Sequence, residues 1–466
     1  MTLMKSLLLG SAAGFFAVAS AQAADLPTRK GPVAAEYVRV CSITVAGAPV
    51  VGFVLPGSDT CVKISGYITG QIEGGNLKQG YSYSPAVSPF QAVGVPVRNR
   101  DSIGWTTRYN LTLDAVSNTA YGPLVAHGEY QFNFGQGFDT TGAGGSDGGL
   151  NQAYVTWAGL TAGKIASFFS FTGGGYGWAN FFSPDRKGFN QPDVLAYTAS
   201  FGGGFAATIS LESSSNANLG SNAAGPIVTS AGSEQGYLGS AFQDGHRVPD
   251  IVGALSVSQA WGRAQISGVA HNVRATSFLD GSSIDKWGWA VDAGVQFNIP
   301  SFAGASIGVT GVWSQNATWY SGIPDAMWGE DGATNGNGQA MAVGDAFSNG
   351  DGTWAKPTAW SVMGYGQFVV NPQITLQLEG GYAELNWNDK SAIGLNLYDS
   401  KSFLVGGLIH YDPVKNLDFA LETMYQSTTN SQPIGYFPGG GGPGSTTSWQ
   451  GKADGFAARL MITRSF

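Results

Sequence analysis

Charge is scarce in this chain. Its 466 residues hold 23 Lys and Arg against 31 Asp and Glu, 12% in all, where a soluble globular domain carries about 25%. Cysteine is scarcer still: Cys41 and Cys61 are the whole supply, too few for a zinc framework and not in a CxxC redox spacing. Beyond the amino-terminal segment, no run reaches the roughly 18 apolar residues that a membrane-crossing helix requires. The four histidines, His127, His246, His271 and His410, are scattered. No GxSxG and no paired-carboxylate spacing stands out, so the reading is of a non-enzyme without cofactor. Asn335 to Gly338 and Asp345 offer oxygen atoms of the kind calcium takes, but read more simply as a polar loop, and no metal site is expected. A net charge of −8 argues against nucleic acid, whose partners are usually basic.

Glycine and aromatics are abundant instead: 70 Gly, 13 Trp, 18 Tyr and 26 Phe. Gly at about twice its usual share suits tight turns, bulges and close backbone approaches. The amino terminus carries one cation, Lys5, then an apolar run from Leu7 to Ser20, then Ala21-Gln22-Ala23. A short apolar run followed by a small-x-small site reads as a secretory signal peptide over 1–23. An exported chain without membrane helices is either soluble or a barrel. In an oxidising compartment Cys41 and Cys61 are expected to pair, a structural staple contributing ~3 kcal/mol in the chain-entropy model.

Period-2 alternation recurs along the rest of the chain. In Ser102 to Val116, Trp105, Thr107, Tyr109, Leu111 and Leu113 share one face, with Thr106, Arg108, Asn110, Thr112 and Asp114 on the other; a strand puts these sets on opposite sides. From 121 to 134, Leu124, Tyr130, Phe132 and Phe134 point one way and His127, Glu129, Gln131 and Asn133 the other. Sixteen such segments are legible: 62–72, 102–116, 121–134, 149–160, 161–172, 193–202, 205–214, 250–261, 263–275, 286–298, 304–318, 358–370, 373–387, 401–412, 416–429 and 454–466. Links after even-numbered strands are short and those after odd-numbered strands are long, 276–285 being of middling length. That asymmetry and an even count are expected of a bacterial transmembrane barrel. A soluble β-sandwich of this size would carry more surface charge, and a β-helix would show a fixed short repeat.

The last segment ends Arg464-Ser465-Phe466, an alternating strand closing on an aromatic carboxy-terminus. With Glu36 to Cys41, Thr60 to Tyr67 and Pro249 to Leu255, it resembles the general porins of alphaproteobacteria across the mature chain. That resemblance implies an all-β fold: a 16-stranded antiparallel transmembrane β-barrel with an inward-folded constriction loop. It also implies a homotrimer in the Gram-negative outer membrane, in contact with lipid and lipopolysaccharide, passing ions and small hydrophilic solutes by diffusion. Residues 24–61 would form a periplasmic or plug-side segment carrying Cys41–Cys61, and residues 62–466 the barrel. The long Gly-rich links 319–357 and 430–453 are a departure that leaves open an occluded barrel serving as anchor or receptor. A carbohydrate-selective channel also stays open; it needs several aromatics on the lumen face, where only Tyr67 is clear.

The resemblance makes the third long loop, 173–192, the constriction. Its Asp185, Arg186 and Lys187, with the nearby Asp193, are expected to border the pore. Strand phase adds Lys63, Arg108, His127, Glu129 and Arg459 as pore-wall residues, on strands that become neighbours when the barrel closes. Trp105, Tyr109, Tyr130 and Phe466 are expected in aromatic girdles at the membrane interfaces. An acidic chain with basic candidates clustered near strands one to three predicts weak selectivity, leaning to cations from the net charge.

Overall fold

The computed structural model describes residues 39–75, 81–83, 94–96, 103–137, 145–173, 191–213, 241–243, 247–277, 280–322, 345–390, 399–431 and 452–466. Sixteen antiparallel strands run in sequence around a closed wall. Strands one to eight are Cys61–Gly75, Ile103–Thr119, Gly122–Gly137, Gly145–Trp157, Leu160–Lys164, Asp193–Gly202, Phe205–Glu212 and Asp250–Gln259. Strands nine to sixteen are Gly262–Ser277, Ser283–Asn298, Ser306–Gln315, Trp354–Asn371, Ile374–Asn388, Ser400–Val414, Leu417–Asn430 and Lys452–Ser465. Each pairs with its sequence neighbour, and strand sixteen returns to strand one from Ala457↔Gly75 to Ser465↔Tyr67, so the wall has no free edge to aggregate.

The alternation read from the sequence becomes inside and outside. On strand two Trp105 is 61% exposed while Asn110 is 1% exposed; the apolar row faces out and the polar row faces in. Phe456, Leu460 and Ile462 of the last strand are likewise exposed. The aromatic girdle is placed differently from expectation. Tyr121, Trp157, Phe205, Trp261 and Phe302 stand exposed at the short-turn end together with Phe466. Trp105 lies near the opposite end, and Tyr109 and Tyr130 sit mid-strand, touching Phe132 at 6.4 and 5.2 Å between ring centroids. Phase fixes the face a residue takes; its height depends on where the turns fall.

The turn between strands four and five is Ala158-Gly159, both at positive φ (51° and 88°), as a two-residue hairpin turn requires. Alanine rarely adopts that conformation, which is why the sequence shows no break there.

Ahead of the barrel a hairpin, Val40–Val45 and Ala48–Val54, was not anticipated as strand. Its second arm pairs with the start of strand one through Phe53↔Val62 and Val54↔Cys61. The Cys41–Cys61 disulfide ties the first arm to the same point. Ile43 packs with Cys61, Val116 and Val125, which belong to the inward rows of strands one to three. The hairpin therefore covers the inner wall at the short-turn end.

Candidate functional site

Strand five stops at Lys164, well short of the expected 172, and the chain turns into the barrel. Backbone that leaves a sheet needs new partners, and the inner wall supplies them. Glu212 on strand seven accepts Ser167 Oγ at 2.5 Å and the Phe168 amide at 3.1 Å. Ser267 Oγ on strand nine donates to the Phe169 carbonyl at 2.5 Å. Asp292 on strand ten accepts the Phe171 amide at 3.2 Å and Thr310 Oγ1 at 2.8 Å. Three wall side chains thus hold the segment from Ser167 to Phe171.

Apolar contacts fix the same segment. Phe169 is fully buried with Val252, Val269, Ala290 and Val312, all inward residues of strands eight to eleven. Phe171 lies under the Arg263 guanidinium, 4.6 Å from ring centroid to Cζ. It occupies the space left by Gly294, where a Cβ would stand 2.2 Å from the ring. The inner wall is therefore not uniformly polar: where chain packs on it, it is a dry interface of small and branched side chains.

A second segment enters from the link after strand eleven. Thr318–Ser321 forms one 3-10 turn, every residue of it buried. Tyr320 meets Phe169 edge-on at 5.0 Å and donates its hydroxyl to Asp250. Two inward segments, from different loops, therefore touch inside the barrel.

Of the expected constriction residues, Asp185, Arg186 and Lys187 lie outside the described residues. Asp193 is exposed and shares its face with the outward Leu195 and Tyr197, because the buried Val194 takes the inward position beside it. Alternation thus removes Asp193 from the lumen.

The wall residues do face inward, but not as one cluster of free charge. Lys63, Asp114, His127 and Tyr154 form a row across strands one to four, with His127 Nδ1 2.7 Å from Asp114 and its ring stacked on Tyr154 at 4.7 Å. Arg108 donates to Asn133 at 2.7 Å, and Glu129 accepts from Asn110 at 2.5 Å and Asn151 at 3.0 Å. Arg459 is only 4% exposed. Its guanidinium pairs with the buried Glu422 directly opposite, and Glu73 stands opposite on the other side. It is a structural cation in the wall rather than one presented to the water path. Its carboxylate partners sit at the same inward phase and were the available signal.

His246 lies outside the described residues, and the other three histidines stand on strands three, nine and fourteen. His127, His271 and His410 each face an aspartate of the adjoining strand: Asp114, Asp250 and Asp418.

A closed antiparallel barrel of sixteen strands, apolar outside and narrowed within by its own chain, is an outer-membrane channel in architecture. The model of the Porin subfamily matches residues 25–454, and the chain belongs to that family. It is thus an integral outer-membrane porin, and that identity implies a channel. It is 29% identical over 423 residues to Porin Omp2b of Brucella suis, covering 88% of this chain and 98% of that one. Against Porin Omp2b of Brucella abortus (strain 2308) it is 29% identical over 399 residues, covering 81% and 93%. Among solved structures, the outer membrane channel DcaP of Acinetobacter baumannii superposes with a TM-score of 0.57 at 15% identity, over 89% of this chain and 99% of that one, a likeness of fold.

Proposed function

We propose that this porin is a passive, water-filled channel for ions and small hydrophilic solutes with a weak preference for cations. The observation that supports it is the charge of the inner wall. Carboxylates recur around it at Glu73, Asp114, Glu129, Glu212, Asp250, Asp292 and Glu422, of which Asp114 and Glu129 are not buried, against Lys63, Arg108, Arg263 and Arg459, the last three engaged by Asn133, by Phe171 and Gln296, and by Glu422. In a narrow aqueous pore such an imbalance biases which ions pass. Wall carboxylates that hold the inward backbone have part of their field consumed locally, which keeps the bias weak. Lys63, Arg108, His127 and Glu129 are the proposed water-facing wall, with Asp185, Arg186 and Lys187 bordering the constriction.

In this reading residues 1–23 are a cleaved signal peptide, supported by a family match that begins at residue 25. Residues 24–61 are the proposed periplasmic-side segment, a reading that the hairpin's place at the short-turn end supports for residues 41–61. The functional unit is a homotrimer embedded among lipid and lipopolysaccharide, as the family resemblance implies. Purified protein in planar bilayers tests the channel. Stepwise conductance with a small reversal potential of cation sign in a salt gradient is expected; a strong anion preference would overturn the selectivity, and no conductance beside an inserting control porin would overturn the channel.

A further inference from the structure

We propose that His271 is a positioning residue for the pore, and that its protonation holds the second inward segment, from the link after strand eleven, in the lumen. The proposal rests on the channel reading above.

His271 stands on the inner face of strand nine and is 3% exposed. Its Nδ1 lies 2.8 Å from Asp250 Oδ1 on strand eight, and its Nε2 lies 3.4 Å from Asp345 Oδ2 in the loop. Asp345 also ties the two described ends of that loop to each other. Its Oδ1 accepts the Thr318 amide at 2.7 Å and Thr318 Oγ1 at 3.0 Å, and its carbonyl accepts Asn316 Nδ2 at 3.0 Å. The other Asp250 oxygen accepts the Tyr320 hydroxyl. Wall and loop are therefore joined twice, by Asp250 with Tyr320 and by His271 with Asp345. Ser361 Oγ on strand twelve adds a third tie, donating to the Ser321 carbonyl at 2.6 Å.

An imidazole with carboxylate oxygens at both nitrogens is satisfied only when protonated, because the neutral ring donates from one nitrogen and presents a lone pair at the other. A neutral His271 would set that lone pair against a buried carboxylate, which is costly for groups this little exposed. The titratable groups around it are Asp250 from strand eight, Asp345 and Tyr320 from the loop, and Glu212 from strand seven, which acts on Tyr320. Strand ten contributes no charge, since the residue opposite His271 is Gly288. That glycine is itself required by the loop: a Cβ there would stand 2.1 Å from the Asn316 carbonyl oxygen. Two carboxylates thus flank one candidate cation, with Glu212 a third beyond Tyr320, and the acidic surplus leaves its proton as the device that keeps the seat together.

The seat matters for conduction because Tyr320 braces Phe169 of the first inward segment. Loss of the His271 proton would undo the His271–Asp345 tie and loosen the second segment and that brace. The aperture is then set by two loops jointly, with the His271 proton coupling them to the wall.

Single-channel recording in planar bilayers as pH is raised from neutral tests this, using wild type, His271→Gln and Asp345→Asn. Wild type is expected to show one step, with mean conductance falling and open-channel noise rising as the loosened segment moves in the lumen. His271→Gln is expected to lack the step and to show the high-pH behaviour throughout. Asp345→Asn, which removes one of the carboxylates that favour the proton, is expected to move the step to lower pH. Folding is checked by the heat-dependent shift in gel mobility; should His271→Gln not fold, the displacement in Asp345→Asn decides. Conductance that flows with no step in wild type, or a step unchanged in both variants, overturns the proposal while leaving the channel intact. Absence of any conductance in wild type would instead count against the channel reading.

Discussion

Gly66 and Phe466 exchange two backbone hydrogen bonds: the Gly66 amide donates to the Phe466 carbonyl at 3.2 Å and the Phe466 amide to the Gly66 carbonyl at 3.0 Å. The last residue of the chain is thereby fastened to the strand that begins the barrel. Gly66 allows it by having no side chain, since a Cβ there would stand 2.2 Å from the Asn110 carbonyl oxygen and 2.9 Å from the Phe466 ring.

Gly66→Val should therefore impair closure. Two hydrogen bonds at about 0.5–1.5 kcal/mol each set the lower scale of the loss, and the backbone clash adds to it. A reduced heat-modifiable folded fraction on gels, with a lower Tm, is the expected result. Deletion of Phe466 should give a milder defect of the same kind.

Arg459 and Glu422 make a buried pair in the wall. Removing one partner of such a pair costs about 3–5 kcal/mol, because the other charge stays buried. Arg459→Met is thus expected to lower denaturant stability by that order, leaving Glu422 and Glu73 uncompensated. Adding Glu422→Gln should restore part of it, and the double-mutant cycle measures the coupling. Selectivity measured on folded Arg459→Met channels should change little, since the guanidinium is shielded from the water path.

Gly294→Val places carbon where Phe171 now sits. The ring must leave, losing its contact with Arg263, and the first inward segment must shift off strand ten. The wall register of strands nine to eleven does not depend on Phe171. Altered single-channel conductance with normal heat modifiability is expected, and an unchanged conductance would show that this segment does not border the path.

Asp280, in the turn between strands nine and ten, accepts the Ser282 amide at 2.9 Å and the Gly352 amide at 2.6 Å. These bonds, that from Ser282 first, hold its carboxyl well below the usual carboxylate range. A depressed folded pKa stabilises above the unfolded value and is lost as pH falls through the folded one. The tie between this turn and residues 351–353 should thus persist through mildly acidic pH and release only at strongly acidic pH. Asp280→Asn should release it at neutral pH, seen as several-fold faster hydrogen exchange at the Gly352 amide.

Much of the wall was legible beforehand. Strand two and strand sixteen show why: extended backbone projects successive side chains to opposite faces, so Trp105, Tyr109 and Leu113 announce the outer face wherever the strand ends up. Asp193 shows the limit, for a single residue at a strand end depends on register and not on pattern. The segment 165–172 reads as strand because Phe168, Phe169 and Phe171 are apolar enough for a wall; they are apolar for a different contact, the dry inner surface of strands eight to eleven.

The sequence by itself determined sixteen crossings, their faces, and closure by the carboxy-terminal strand, because alternation is a local consequence of backbone geometry. Only the tertiary structure decided which inward charges meet water. Arg459 and His271 have the same inward phase as Arg108, yet both are buried, since burial depends on partners brought from distant strands and loops. Glu422 neutralises the one and Asp345 caps the other; inward phase is legible in the chain, but which inward groups meet is set by strand pairing and by the loop's entry.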